Sequence, residues 1–172
     1  MDAAKKIAQH FYENGCRRIA FISGPKHLNI SKNREEGYLE GLKECKLPFH
    51  PELLLHCNLS TADATNATNQ LLQLKNRPDA IFGLNDTIAF AAMKEIKKHG
   101  LKIPEDIALV GFTDEFHSTV VEPSLTSITH PTFEMGKHAA NLFFQIIQKE
   151  ANFNQKIVLK TDLIVRESSV KK

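Results

Sequence analysis

A chain of 172 residues with 42% hydrophobic and 24% charged residues is long enough for one cored domain and short for two. Its 22 Lys and Arg stand against 20 Asp and Glu, and the resulting formal charge of +2 is too small a bias to imply a polyanionic partner. Cys16, Cys45 and Cys57 have neither zinc-knuckle spacing nor disulfide-scaffold density, so a reducing compartment is the simplest reading. The N-terminus runs straight into an amphipathic pattern without the apolar core of a secretion signal, and no apolar run reaches the roughly 18 residues of a membrane span.

In chain order, residues 3–14 put Ile7, Ala8, Phe11 and Tyr12 on one helical stripe, with Gly15 as the stop. Residues 18–22 form a short apolar run without strict alternation, which suits a strand buried on both faces. Ser31 is the expected N-cap of a second helix carrying Tyr38, Leu39, Leu42 and Cys45, broken by Pro48 and Pro51. Residues 53–57 are the next strand, and Ser60 followed by Asp63 has the spacing of a helix start. Strands at 80–84 and 107–111 flank a helix opened by Asn85 and Asp86 and closed by Gly100. Strands separated by one helix each predict βαβ crossovers and a mainly parallel sheet, an α/β fold with three αβα layers. Beyond 115 the rhythm changes: a short strand at 125–128, a helix at 135–147 expected to bury Ala139, Leu142, Phe143 and Ile146 on one face, and an extended segment at 157–165.

Ligands of open parallel sheets sit beyond the carboxyl ends of the strands. Those ends carry Gly24 and Pro25, Asn58, Asn85 and Asp86, and Thr113 and Asp114. Such a set suits a small polar or polyhydroxylated ligand whose hydroxyls both donate and accept. Each residue also has a plainer role. Asp86 can serve only as an N-cap, Asn85 as a turn residue, and Thr113 and Asp114 as a turn and cap. Arg34 either reaches the cleft as a multi-donor clamp or pairs on the surface with Glu36 or Glu40, and the sequence alone favours the surface pair. Neither a phosphate loop nor a nucleophile elbow is present, and the eight histidines never form a His-x-x-x-His pair, so neither catalysis nor a metal site is expected, and no cofactor is called for.

The segments 17–25 (RRIAFISGP), 34–38 (REEGY), 78–86 (PDAIFGLND) and 103–114 (IPEDIALVGFTD) together resemble the effector-binding domain of LacI-type bacterial transcription regulators. Segments 123–128, 131–136 and 163–168 extend the likeness over nearly the whole chain. The resemblance implies a periplasmic-binding-protein-like lobe that holds a small effector, such as a sugar or purine, with no enzymatic activity. It matches Arg34 to the arginine that grips effector, Asn85 to the cleft asparagine and Asp86 to the adjoining helix cap. Thr113 stands where the family usually has aspartate, with Asp114 at the next position, and His130 stands where the family has glutamine before proline. A neutral hydroxyl cannot supply the acceptor-only grip of a carboxylate.

The same resemblance divides the chain into a second lobe at 1–130, a crossover helix at 131–156 that belongs to the first lobe, and a return strand and tail at 157–172. It places the chain partway through a two-lobed sensor, with DNA contact left to residues upstream of Met1. A cytoplasmic homodimer without membrane contact is expected. A periplasmic-type solute-binding lobe of a transport system is the alternative. With the first lobe absent, the crossover helix must pack back, associate with another copy, or leave its apolar stripe in water.

Overall fold

The computed structural model describes residues 2–148 and 155–171. Its six strands form one sheet in the order β2-β1-β3-β4-β5-β6. They are β1 (Ile19–Ser23), β2 (Leu54–His56), β3 (Ala80–Gly83), β4 (Ala108–Thr113), β5 (Thr126–Thr129) and β6 (Leu163–Ile164). The first five are parallel, and β6 runs antiparallel to β5, pairing Ile164 with Ser127 and Leu163 with Ile128. The expected α/β class and mainly parallel sheet are therefore present.

The helices are α1 (Asp2–Glu13), α2 (Asn29–Glu44), α3 (Thr61–Leu72), α4 (Asp86–Lys98), the single turn α5 (His117–Val120) and α6 (Thr132–Ile147). α1 packs on α2 and α3 packs on α4. From β1 the chain steps outward to β2, then back across to β3 and β4, so crossovers of one hand put α2 on one face and α3 and α4 on the other. Strands covered on both sides have no need of a polar face, and every residue of β1 and β3 is buried. At the centre, paired Phe21 and Phe82 stack with ring centroids 4.3 Å apart, and Tyr38 closes over Phe21 while donating from its hydroxyl to the Ile19 carbonyl at 2.8 Å.

Several local expectations hold at atomic detail. Ser60 caps α3 by accepting from the Asp63 N–H at 3.1 Å, and Gly15 takes a φ of +85° after α1. Ser31 is not a cap: α2 begins at Asn29 after Leu28, which offers no side-chain acceptor, and Ser31 lies buried within the first turn. The 157–165 segment pairs only over Leu163–Ile164.

The C-terminal segment is stitched back by hydroxyls. Ser168 Oγ donates to the Leu109 carbonyl at 2.6 Å, and Ser169 Oγ lies 2.7 Å from both Thr126 Oγ1 and His10 Nε2. Residues 149–154, the end of the expected crossover segment, and residue 172, at the end of the expected tail, lie outside the described residues.

The main departure is α6. It has the expected position but no buried residue, and Phe133, Phe143 and Phe144 are 79%, 60% and 60% exposed. A stripe at helical spacing specifies which side can be buried; it does not supply the surface that buries it. Among the described residues, the returning segment around Ile157 and Leu159 shares a shallow pocket with Met135 and Leu142.

Candidate functional site

Strand order reverses its direction of growth between β1 and β3, which leaves a crevice at their carboxyl ends. Arg34, in the second turn of α2, reaches into it. It is 6% exposed, donates from Nη1 to the Leu84 carbonyl just beyond β3, and stacks on the Phe112 ring of β4 with 3.4 Å from Cζ to the ring centroid. This overturns the surface pair with Glu36 or Glu40. Starting α2 at Asn29 turns Ile30, Asn33 and Arg34 together toward the strand ends. Burial pushes the Arg34 guanidinium down to about 10, with Asp86 opposing that shift, so it remains a cation at neutral pH.

The cap role expected of Asp86 falls to Asn85. Asn85 is the N-cap of α4: its Oδ1 accepts from the Ile88 N–H at 2.9 Å. Its side-chain amide N–H groups have no acceptor among the described residues and remain able to donate. Asp86, in the first helical position, is 1% exposed. Its Oδ2 accepts from Thr113 Oγ1 at 3.0 Å, the Glu115 N–H at 2.9 Å and Ser118 Oγ at 3.1 Å, while Oδ1 accepts from Ser127 Oγ at 2.6 Å. A buried carboxylate with four donors clamps the loop after β4, and no face of it is left toward a ligand.

Thr113 and Asp114 sit in that loop with φ of 138° and 50°, backbone conformations that L residues seldom adopt and that the clamp holds in place. Asp114 does not face the crevice unpaired, because Arg166 meets it at 2.7 Å and also donates to the Leu125 carbonyl. Gly111, beneath, is required at its position: a Cβ there would run into Asp86 Oδ1.

A pocket of about 350 Å³ opens over Arg34, lined also by Ile30, Asn33, Phe112, His130 and Thr161. A neighbouring polar recess of about 320 Å³ carries Pro25, His56 and Asn58 at the end of β2, beside the 3.0 Å pair of His56 with Glu35. A larger groove of about 720 Å³ lies at the opposite edge of the sheet, around Lys97, Pro104, Pro123 and Val170. Apart from Arg166, it is built mostly from segments that lead into β4 and β5 rather than from the strand carboxyl ends, so size does not mark it as the site.

Of the five candidate residues, Arg34 lines the pocket and Asn85 follows the Leu84 carbonyl that Arg34 holds, each with groups to offer, whereas Asp86, Thr113 and Asp114 build the neighbouring loop. Phe112 as the stacking platform, Arg166 as the partner of Asp114, and Thr161 as a wall were not singled out as site residues. The aromatic in the 103–114 segment was the one available signal. Arg166 and Thr161 arrive from more than forty residues away along the chain; Arg166 lies in the 163–168 segment of the resemblance, which gave it no role, and Thr161 lies in no such segment. Among the described residues no cluster of His, Cys, Asp and Glu has the makings of a metal site.

The periplasmic binding protein-like domain model matches residues 8–169. The chain is 33% identical over 169 residues to the NTD biosynthesis operon regulator NtdR of Bacillus subtilis, covering 98% of this chain and 51% of that protein. A LacI-family regulatory protein from Chloroflexus aggregans superposes with a TM-score of 0.91 at 30% identity, covering 98% of this chain and 60% of that one. The CelR transcriptional regulator in complex with cellobiose does so with a TM-score of 0.89 at 32% identity, covering 97% and 50%. The chain spans about half the length of the curated relatives it matches. These relatives are transcriptional regulators, which favours that reading over a transport lobe. The chain belongs to the periplasmic binding protein-like domain family, in the form that LacI-type transcriptional regulators carry as their effector-binding domain.

Proposed function

We propose that this chain is the effector-sensing lobe of a LacI-type transcriptional regulator and that a small polar ligand, such as a sugar, sits over Arg34 at the β1/β3 crevice. The observation that carries the reading is the buried guanidinium aimed into a pocket at the strand carboxyl ends; Asn85, whose amide is free to donate, follows directly on the Leu84 carbonyl that Arg34 holds. Asp86 holds the shape of the crevice, while Thr113 and Asp114 form its flank. The CelR neighbour is a complex with cellobiose, which supports a carbohydrate-like ligand. In this reading residues 1–130 form the second lobe, 131–156 cross to a first lobe that covers the apolar face of α6, and 157–172 return. The ligand biases one lobe closure over another, and a cytoplasmic homodimer passes that bias to DNA-binding heads outside this chain. The role is sensing without turnover.

The test is an amide NMR titration with a panel of mono- and disaccharides and nucleosides. A ligand of this site shifts residues 29–34, 85 and 112–114, and Arg34→Ala and Asn85→Ala weaken its binding. Shifts confined to the groove around Lys97 and Pro104, or unchanged affinity in both variants, would overturn the assignment.

A further inference from the structure

Arg34 is a buried cation whose compensation within the chain is incomplete. Among the described residues, the Leu84 carbonyl is the only hydrogen-bond acceptor that meets its fork, and no carboxylate lies within ion-pair distance. The acids at this edge are engaged elsewhere: Asp86 holds four donors, and Asp114 is paired with Arg166. The Thr113 hydroxyl is turned to Asp86. No Asp or Glu lines the pocket over Arg34. The Phe112 ring offsets part of the cost of burying the charge, but it accepts no conventional hydrogen bond.

A second, independent feature has the same sign. The 16-residue α2 starts after Leu28 with no side-chain cap and no acidic residue in its first turn, and Ile30 of that turn lines the pocket. Uncapped N–H groups and the positive end of the helix dipole therefore meet the guanidinium at one opening.

Resting on the effector-binding reading above, we propose that the effector is anionic: a polyhydroxylated molecule whose carboxylate or phosphate pairs with the Arg34 guanidinium while its hydroxyls meet Asn33, Asn85 and Thr161. A carboxylate or phosphate takes two parallel N–H bonds from the fork and cancels its charge, whereas a sugar hydroxyl accepts one bond and leaves the charge unmet. The 350 Å³ pocket has room for a monosaccharide-sized ligand.

The experiment is an amide and arginine Nε NMR titration of the 172-residue chain with D-glucose, D-glucuronate, D-glucose 6-phosphate and inorganic phosphate. The two charged sugars are expected to shift residues 29–34 and the Arg34 Nε resonance at concentrations roughly tenfold to hundredfold below D-glucose, the factor that one charge-assisted contact supplies. Their order separates carboxylate from phosphate. Inorganic phosphate, lacking hydroxyl contacts, binds more weakly than the phosphorylated sugar. Binding of the charged sugars weakens with added salt, falls in Arg34→Lys, which keeps the charge without the fork, and is lost in Arg34→Met, whose fold is checked by its unchanged remote resonances. D-glucose binding at these residues as tightly as its charged relatives would overturn the anion and leave the effector site standing. Absence of shifts at this edge with every probe would overturn both.

Discussion

Asp86→Asn is the substitution that most directly probes how the crevice is held. The carboxylate receives four hydrogen bonds of 2.6 to 3.1 Å at a site that is 1% exposed. A charge-assisted bond contributes about 1.5–3 kcal/mol and a neutral one about 0.5–1.5, so an amide oxygen in the Oδ2 position loses about 1 kcal/mol at each of its three donors. The amide nitrogen would then face Ser127 Oγ, which must turn from donor to acceptor. Together these give a cost of about 2–4 kcal/mol, a large fraction of the roughly 5–15 kcal/mol that holds a domain folded.

Gly111→Ala supplies the control, because its Cβ would meet Asp86 Oδ1. Alone it should cost about 1–3 kcal/mol as an overpacked site. With Asp86 replaced by alanine the obstructing oxygen is gone, and the two changes should couple favourably by about 1–2 kcal/mol. Urea unfolding followed by far-ultraviolet circular dichroism is the assay, since the chain has no tryptophan to report by fluorescence. If Asp86→Asn lies within about 0.5 kcal/mol of the parent, or Gly111→Ala costs the same in both backgrounds, the clamp does not organise this loop.

Three further outcomes follow from burial. Desolvation holds His10 below its ordinary 6.5 despite the opposing charge of Glu13, so the unfolded chain takes up the proton first. Stability should be complete above about pH 6.5 and decline as pH falls toward the folded-state value, and His10→Gln should flatten that decline; equal slopes in urea unfolding would refute it. Burial also pushes the Cys16 thiol up to about 11. With Cys57 buried as well and Cys45 partly exposed, Ellman's reagent at about pH 8 should find one reactive thiol in the native chain and all three in denaturant; equal native rates for all three would contradict the packing. Finally, the uncovered face of α6 and the exposed Phe116 and Val120, at the two ends of the α5 turn, should drive concentration-dependent association in light scattering. Phe143→Glu with Phe144→Glu reports on the first surface and Phe116→Glu with Val120→Glu on the second, and a chain that stays monomeric at all concentrations would refute both.

The parts of the fold set by local rules were legible in the sequence. Apolar runs without alternation became β1, β3 and β4, and Ser60 with Asp63 became a capped helix start. Where a rule admitted neighbouring candidates, it chose the wrong one. Ser31 has a capping side chain, but the cap position falls three residues earlier, at Leu28. Asn85 and Asp86 are both good caps, and the pair is resolved by Thr113, Glu115, Ser118 and Ser127, all at least 27 residues away. Arg34 misled for the same reason. Its own element offers Glu36 and Glu40, neither at the i+3 or i+4 spacing that brings helical side chains together, while its observed partners, Leu84 and Phe112, come from the ends of β3 and β4. Periodicity reports which residues share a face and is silent on what a third strand brings to it.

The stability and the specificity of this edge are connected through Asp86. Its carboxylate favours the charged state of Arg34 through space, yet its hydrogen-bonding capacity is filled by the 113–118 loop and Ser127. Arg166 likewise occupies Asp114 while closing the end of the sheet. Asp86 and Asp114 are therefore taken up within the fold, and the pocket above presents a guanidinium, the Asn33 amide, the His130 imidazole, the Thr161 hydroxyl and an uncapped helix start. Proteins satisfy a buried charge from within when its only role is structural. A guanidinium kept dry, stacked and largely without acceptors, at a site whose own carboxylates are turned away, has its missing partner supplied from outside.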